Sequence, residues 1–504
     1  MNGLSMHLPI LPVLLPLVAG IVLLALRNAP LALQRGISLA AAAALVPLAF
    51  ALLASAADGT QLVYKLGNWE APFGIVLVAD RLAAWMLMAT ALVALFALLH
   101  ALRGDDVKGR HFHVLYQLQL FGLNGAFLTG DLFNLFVFFE ILLLASYGLL
   151  LHGGGRLRVK AGLHFVVINL VGSTLFLFAV GTLYGVTGTL NMADLAVKLA
   201  RTVPENLALV EAAGLLLFGV FALKAALLPL HLWLPAAYAH TSAPVAALFA
   251  IMTKVGAYSI LRVYSLMFGA DAGAVANLLA DWLMPLALVT LVAGMLGAVA
   301  ATALRQQIAY LVIASVGTLL AAFALDSVDG IAAGLYYLPH TTLAAAAIFL
   351  LADPIARARG ERADRFEAGP AMPGAPVLGG LFFAVAIAMA GLPPLSGFLG
   401  KFMLLRAALE SPWLAWLWSV VLVTGLIGVI VLARSGSLLF YRTHSTTESL
   451  PAPRAADWLP AAGLLLLGLG MVIWAGPVSD YATATAAQLL HPQAYIDAVL
   501  GGRP

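Results

Sequence analysis

The chain has 504 residues, of which 63% are hydrophobic and only 10% are charged, and it carries a formal net charge of +3 and no cysteine. An ordinary soluble domain contains about 25% charged residues. The composition therefore excludes a water-soluble enzyme and a disordered tail, and it is typical of a polytopic membrane protein. The small net charge gives no indication of nucleic-acid binding. The absence of cysteine excludes disulfides, thiolate zinc sites, iron–sulfur ligation and cysteine nucleophiles in this chain.

Long apolar runs alternate with short polar breaks along the whole chain. Only helices satisfy the backbone of such runs inside a bilayer, so the pattern predicts an all-α polytopic membrane protein. We expect about fourteen transmembrane helices, at residues 8–26, 33–54, 82–102, 112–129, 132–151, 163–186, 207–228, 243–268, 282–302, 308–324, 331–351, 378–405, 413–441 and 458–474.

The basic residues are distributed unequally between the two faces of this arrangement. Sixteen lie in the odd-numbered connections, whereas the even-numbered connections and the termini hold Lys65, Arg81, Lys198, Arg201, Arg262, Arg406 and Arg503. Basic residues are enriched in cytoplasmic loops. The sequence therefore predicts a multi-pass protein of the bacterial cytoplasmic (inner) membrane with both termini on the outer, periplasmic face.

Four ionisable residues are predicted to lie deep in the membrane: Glu140, Lys224, Lys254 and Lys401. A charge at the bilayer centre costs roughly 2.5–3.5 kcal/mol on insertion scales, and residues of this kind usually have a function. The structural alternative is that they form ion pairs that fix helix packing. The functional interpretation is proton transfer, because a buried lysine holds its proton beside a carboxylate and releases it more readily when the two separate.

Helix-breaking residues accompany two of the lysines. Pro229 follows Lys224, and Pro393 and Pro394 precede Lys401. Broken helices at membrane depth are typical of ion sites in transporters. Both lysines fall in the fourth helix of a five-helix unit, which predicts two inverted five-helix repeats, each with a broken helix. We expect the N-terminal helices at 1–110, the repeats at 111–269 and 282–442, and a last helix and tail at 455–504.

Three histidines, His231, His240 and His340, lie in or beside the spans. Histidine titrates near neutral pH, so these residues suit relay steps between lysines. Isolated histidines are also common as packing residues. Their spacing does not suit a metal site, since no carboxylate or second histidine lies nearby at helical ligand spacing. Residues 61–69 alternate in polarity within the connection at 55–80, which predicts a small hairpin there.

Several stretches resemble one known group of proteins. These are residues 130–140 (GDLFNLFVFFE), the passage 224–244, residues 253–258 (TKVGAY), residues 305–310 (RQQIAY) and residues 391–401 (GLPPLSGFLGK). The chain resembles, over about its whole length, the antiporter-like subunits shared by respiratory complex I, membrane-bound hydrogenases and multisubunit cation/proton antiporters. Residues 64–81 and 7–16 are most similar to the D-type subunits of the Mrp/Pha-type antiporters.

This resemblance implies a proton-translocating subunit of a multisubunit Na⁺ (or K⁺)/H⁺ antiporter. It implies that Glu140 and Lys224 form the first-half pair, that Lys254 carries protons centrally, and that His340 and Lys401 serve the second half. Several relatives have a lysine about where this chain has Ala345, so water or the hydroxyl of Thr341 would substitute here. The implied partners are antiporter subunits of types A, B, C, E, F and G and the lipid bilayer, with no cofactor, metal or nucleic acid.

Two other functions compete with an antiporter subunit. The first is a proton-pumping, antiporter-like subunit of complex I (M- or N-like) or of a hydrogenase, in which the same charged residues would work but electrons would supply the energy. The second is a structural membrane scaffold, for which neutralising Lys224, Lys254 and Lys401 would leave ion transport unchanged.

Overall fold

The computed structural model describes residues 7–444 and 450–501, so Arg503 lies outside the described residues. A 3-10 turn at Leu8–Ile10 leads into the first helix. The α-helices are α1 Leu11–Ala25, α2 Leu31–Ala56, α3 Arg81–Ala101, α4 Phe112–Leu128, α5 Leu132–Leu151, α6 Arg156–Thr187, α7 Met192–Leu199, α8 Pro204–Ala225, α9 Trp233–His240, α10 Ala243–Phe249, α11 Met252–Leu266, α12 Leu283–Ala300, α13 Leu304–Phe323, α14 Val328–Ala358, α15 Ala375–Ala390, α16 Ser396–Ala407, α17 Leu414–Gly436, α18 Ala455–Ile473, α19 Ala475–Leu490 and α20 Gln493–Leu500.

Every predicted span has a helical counterpart in the structure. Among the described residues, twelve helices are long and apolar enough to cross a membrane by length and composition. The two remaining predicted spans correspond to the 17-residue α4 and to the interrupted pair α15 and α16. The prediction of an all-α polytopic membrane fold is confirmed.

The most buried helices are those in the middle of the bundle. All residues in the most apolar stretch of the span formed by α10 and α11 are buried. In α14, 94% of the corresponding stretch is buried. Helix α14 packs against α3, α10, α13, α15, α16, α18 and α19. By contrast, α6, α17 and α18 expose large apolar side chains such as Phe178, Leu426 and Leu466. This distribution suits a bundle whose outer surface meets lipid or other apolar membrane helices.

A small hairpin covers one end of the bundle. Strands β1 (Leu62–Lys65) and β2 (Val76–Ala79) pair antiparallel, with Leu62 opposite Ala79 and Lys65 opposite Val76. The hairpin predicted for the 55–80 connection is therefore confirmed. Strand β2 is fully buried and packs against α3 and α4. A second, two-residue pairing joins β3 (Gly369–Pro370) to β4 (Thr443–His444).

Both predicted helix breaks are present. Helix α8 ends at Ala225 and α9 begins at Trp233, while α15 ends at Ala390 and α16 begins at Ser396. Pro229 lies within the first interruption, and Pro393 and Pro394 lie within the second. The division of the chain into repeats at 111–269 and 282–442 stays a prediction.

Candidate functional site

The two helix breaks place Lys224 and Lys401 beside the carboxyl ends of half-helices. Lys224 is in the last turn of α8, which ends as Ala226 enters the left-handed region at φ +60°. Lys401 is in α16, but its Nζ donates a 2.9 Å hydrogen bond back across the break to the carbonyl oxygen of Ala390, the last residue of α15. The carbonyls at a helix C-terminus carry partial negative charge and lack intrahelical partners. Each break therefore supplies dipoles suited to an ammonium group.

In the first half, the charges of Glu140 and Lys224 are connected through α6. Ser173 Oγ donates to the Glu140 carboxylate, and Lys224 Nζ donates to Asn169 Oδ1 at 3.1 Å. Asn169 and Ser173 are four residues apart, so they lie on one face of α6, one turn from each other. In this structure each charged group therefore bonds to α6 rather than to the other, and the Glu140–Lys224 pair implied by the resemblance stays a prediction.

Lys224 is 7% exposed, whereas Glu140 is only partly buried. The Lys224 ammonium also lies 6.0 Å from the centroid of the Phe139 ring, within the range of a cation–π interaction. Glu140 lies on the outer side of this arrangement and Lys224 on the inner side.

Lys254 lies between the two halves of the bundle. It is in the first turn of α11 and is completely buried. Its Nζ is 3.5 Å from Ser315 Oγ on α13, which is longer than a normal hydrogen bond. A buried ammonium held by one weak contact is poorly stabilised, since unsatisfied buried charge is costly. Lys254 is therefore well suited to hold a proton only transiently.

A small cavity connects this position with the second half. Its volume is about 40 Å³, and its polar lining consists of Ser315, Thr318, Tyr337, His340, Thr341, Lys401 and Thr424. A water molecule needs roughly 10–15 Å³ of such space and two or more polar partners, so the cavity accommodates a few water molecules. Ala345 is buried outside this lining, while Thr341 contributes to it. The hydroxyls of Thr341 and Thr318 thus lie where a bridging group is needed.

His340 lies on the wall of the same cavity. Its Nδ1 is 2.8 Å from Ser396 Oγ, the first residue of α16. Lys401 is just over one turn further along α16. The structure therefore places His340 and Lys401 on one cavity, which Lys254 approaches through Ser315. Glu140 and Lys224 both bond to α6. The relay roles of these residues stay predictions.

His231 and His240 occupy different positions from the other sequence-predicted residues. His231 is in the loop between α8 and α9, and its Nδ1 has no hydrogen-bond partner among the described residues. His240 ends α9, and its backbone carbonyl accepts a 2.9 Å hydrogen bond from Arg158 Nε. The observed bonds do not connect either imidazole with Lys224, so their relay roles stay predictions.

The loop between α8 and α9 contacts the second half of the chain. The Leu228 N–H donates a 3.0 Å hydrogen bond to Thr290 Oγ1 on α12.

Sequence analysis placed Arg262 in a connection, and this is wrong. Arg262 is inside α11, is 4% exposed and makes a two-pronged ion pair with Asp80 at 2.6 and 2.7 Å. The rings of Tyr258 and Tyr495 lie 5.6 and 5.3 Å from its guanidinium carbon. The sequence signal that could have located Arg262 inside the helix is its spacing. Lys254, Tyr258 and Arg262 follow one another at intervals of four residues and so lie on one helix face.

A polar cavity lies one turn beyond Arg262, at the end of the span formed by α10 and α11. It has a volume of about 330 Å³ and is lined by residues that include Arg201, Ser265, Asp271, Asp326 and Asp497. Asp326 is in the connection between α13 and α14, and burial raises the pKa of its carboxyl group above the ordinary value. This end of the bundle therefore offers polar space close to the central helices.

Comparisons with known proteins agree with this arrangement. Residues 129–428 match the family described as NADH:quinone oxidoreductase/Mrp antiporter, TM. The chain is 43% identical to the D-type subunit of a probable K(+)/H(+) antiporter of Rhizobium meliloti, with 98% of this chain and 97% of the relative covered. It is 38% identical to the D-type subunit of the Na(+)/H(+) antiporter of Bacillus subtilis, with 97% and 99% covered. A chain in the solved structure of the Mrp complex from Dietzia sp. DQ12-45-1b superposes with a TM-score of 0.86 at 29% identity, and the match covers 99% of this chain and 100% of that chain.

Proposed function

The chain belongs to the membrane family of NADH:quinone oxidoreductase and Mrp antiporter subunits, and we propose on that premise that it is the proton-translocating subunit of a multisubunit Na⁺/H⁺ or K⁺/H⁺ antiporter. It is then a transporter subunit that moves protons through its own side chains. The observation that carries the proposal is the series of ionisable groups formed by the buried Lys224, Lys254 and His340 and the half-buried Lys401, which spans both broken helices.

In the first half, we assign proton capture and release to Glu140 and Lys224. When Lys224 approaches the carboxylate, its ammonium form is stabilised. When it bonds to Asn169 instead, its contact with the carboxylate is lost and the proton leaves more readily. The interruption at residues 226–232 lets the end of α8 move without distorting a continuous helix.

In the second half, we assign transfer to Lys254, the cavity, His340 and Lys401. A proton leaving Lys254 reaches Ser315 and the cavity, where water and the hydroxyls of Thr318 and Thr341 carry it to the imidazole of His340. Ser396 orients that imidazole, and Lys401 receives the proton beside the Ala390 carbonyl. Ala345 needs no ionisable replacement in this route because the cavity bypasses it.

We further propose the setting in which this chain works. The partners are antiporter subunits of types A, B, C, E, F and G, and the location is a bacterial cytoplasmic membrane with the basic connections inside. The exchanged cation is Na⁺ or K⁺, as the names of the two sequence relatives suggest. No cofactor is required, because the driving force is the ion gradient.

The proposal is tested by exchange in inverted membrane vesicles that contain the assembled complex. Lys224→Ala and Glu140→Ala should each abolish Na⁺- or K⁺-driven proton movement, measured with a pH-sensitive dye, while the complex still assembles on size-exclusion chromatography. Lys198→Ala is the matched control, because Lys198 is a partly exposed lysine whose partner is Asp194 on α7. Unchanged exchange in either relay variant would refute the assignment.

A further inference from the structure

Three side chains from separate segments meet at the end of the bundle that carries most of the basic residues. His100 is in the last turn of α3, Asp105 is in the connection that follows, and Asp353 is near the end of α14. One nitrogen or oxygen atom from each residue lies within 4.8 Å of those from the other two. These residues have no part in the proton-transfer route described above.

The imidazole of His100 is the unusual member of this group. It is completely buried, and among the described residues neither ring nitrogen has a hydrogen-bond partner. Its Nε2 faces Asp353 Oδ2 at 3.5 Å, which is beyond the length of a normal hydrogen bond. A buried polar atom without a partner costs free energy. A cation coordinated by the lone pair of a ring nitrogen would remove this cost.

The two carboxylates now pair with cationic side chains that also have other partners or solvent within reach. Asp105 bonds to Lys108, whose side chain is 53% exposed and can turn to water. Asp353 bonds to Arg357 Nη2 at 2.9 Å, but the same nitrogen is 3.1 Å from Asp457. Arg305 is 3.6 Å from Asp353. Each cation therefore has another partner or solvent available, and both carboxylates can be freed for a stronger ligand.

We propose that His100, Asp105 and Asp353 form a binding site for a divalent transition-metal ion of the zinc class. One imidazole and two carboxylates suit Zn²⁺, with water completing a tetrahedral shell. Ligand atoms around a tetrahedral zinc are about 3.3 Å apart at ordinary bond lengths, and the His100–Asp353 separation of 3.5 Å already matches this. Asp105 completes the site by a movement of the 102–111 connection.

The position of the site predicts its effect on transport. A bound ion would join α3 to α14, and α14 carries His340 in its middle. Helix α14 also packs against α13, α15 and α16, so a fixed α14 would oppose movement around the second break. Metal binding should therefore slow exchange without displacing any relay residue.

The test uses the assembled complex, purified through a tag without histidines and freed of metal with a chelator. Co²⁺ is titrated as a spectroscopic substitute for Zn²⁺. The wild-type complex and the His111→Gln control should show visible absorption from one bound Co²⁺ that His100→Gln lacks. His111 is the matched control, because it is an exposed histidine in the same connection. Equal Co²⁺ absorption in wild type and His100→Gln would overturn the proposal.

Inhibition of exchange by Zn²⁺ gives an independent readout. In vesicles, the half-inhibitory Zn²⁺ concentration should rise at least about tenfold in His100→Gln, as expected when one ligand is lost, and stay unchanged in His111→Gln. If His100→Gln does not assemble, Asp105→Asn decides the question, because Asp105 lies in a connection and its change keeps the side-chain size. Co²⁺ affinity in Asp105→Asn equal to that of wild type would likewise overturn the proposal.

Discussion

At the scale of single residues, Asp80 and Arg262 form a buried ion pair that holds the start of α3 to the end of α11. Asp80 also caps α3, since its Oδ1 accepts a 2.9 Å hydrogen bond from the Ala83 N–H. With both side chains about 95% or more buried, removal of either partner leaves an unpaired charge away from water. Such a loss costs about 3–5 kcal/mol, whereas removal of both partners costs less.

We therefore expect Asp80→Asn and Arg262→Gln each to lower the midpoint of thermal inactivation of the purified complex, and the double variant to recover part of the loss. The measurement is the fraction of complex that survives heating on size-exclusion chromatography. Lys198→Gln, which breaks a partly exposed pair worth a few tenths of a kcal/mol, is the control. Additive losses in the double variant would show that the two residues do not act as a pair.

At the scale of elements, the break between α15 and α16 depends on Gly391. This residue has φ +78°, a conformation that favours glycine. A Cβ atom there would lie 2.8 Å from Cδ and 3.0 Å from Nζ of Lys401. The glycine therefore keeps space for the lysine that bonds to the Ala390 carbonyl.

Gly391→Ala should displace the Lys401 ammonium and reduce exchange at least about tenfold, which corresponds to the loss of one hydrogen bond to a charged group, about 1.5–3 kcal/mol. The measurement is the initial exchange rate per assembled complex in vesicles. Gly380→Ala, in the α15 helix that precedes the break, is the matched control, because an added Cβ there meets nothing within 4 Å. A full exchange rate in Gly391→Ala would contradict the role of the break in positioning Lys401.

At the scale of the whole molecule, the distribution of basic residues predicts which face is cytoplasmic. The chain has no cysteine, so single introduced thiols report sidedness without background from this subunit. Asp58 and His111 are exposed residues in successive connections. In intact cells, a membrane-impermeant maleimide should label Asp58→Cys, and it should label His111→Cys only in inverted vesicles. The reverse pattern would invert the proposed orientation.

The sequence by itself determined the class of protein, the series of apolar spans, both helix breaks and the hairpin. Each of these depends on residues close together in the chain. Hydropathy sums over about twenty neighbouring residues, and proline and glycine interrupt a helix where they stand. The intramembrane charges Glu140, Lys224, Lys254 and Lys401 were visible for the same reason, since each contrasts with its own apolar surroundings.

The tertiary structure alone decided which of these groups meet. The Lys224–Asn169, Lys254–Ser315 and His340–Ser396 contacts join residues 55 to 61 positions apart, and Asp80 and Arg262 are 182 positions apart. Such contacts depend on the rotation and crossing of every packed helix. Arg262 was counted with the connections although the predicted span 243–268 contains it, and its contact with Asp80 shows that it is paired inside the bundle. The cluster of His100, Asp105 and Asp353 was invisible for the physical reason that helix packing, and not sequence spacing, brings its third member to the other two.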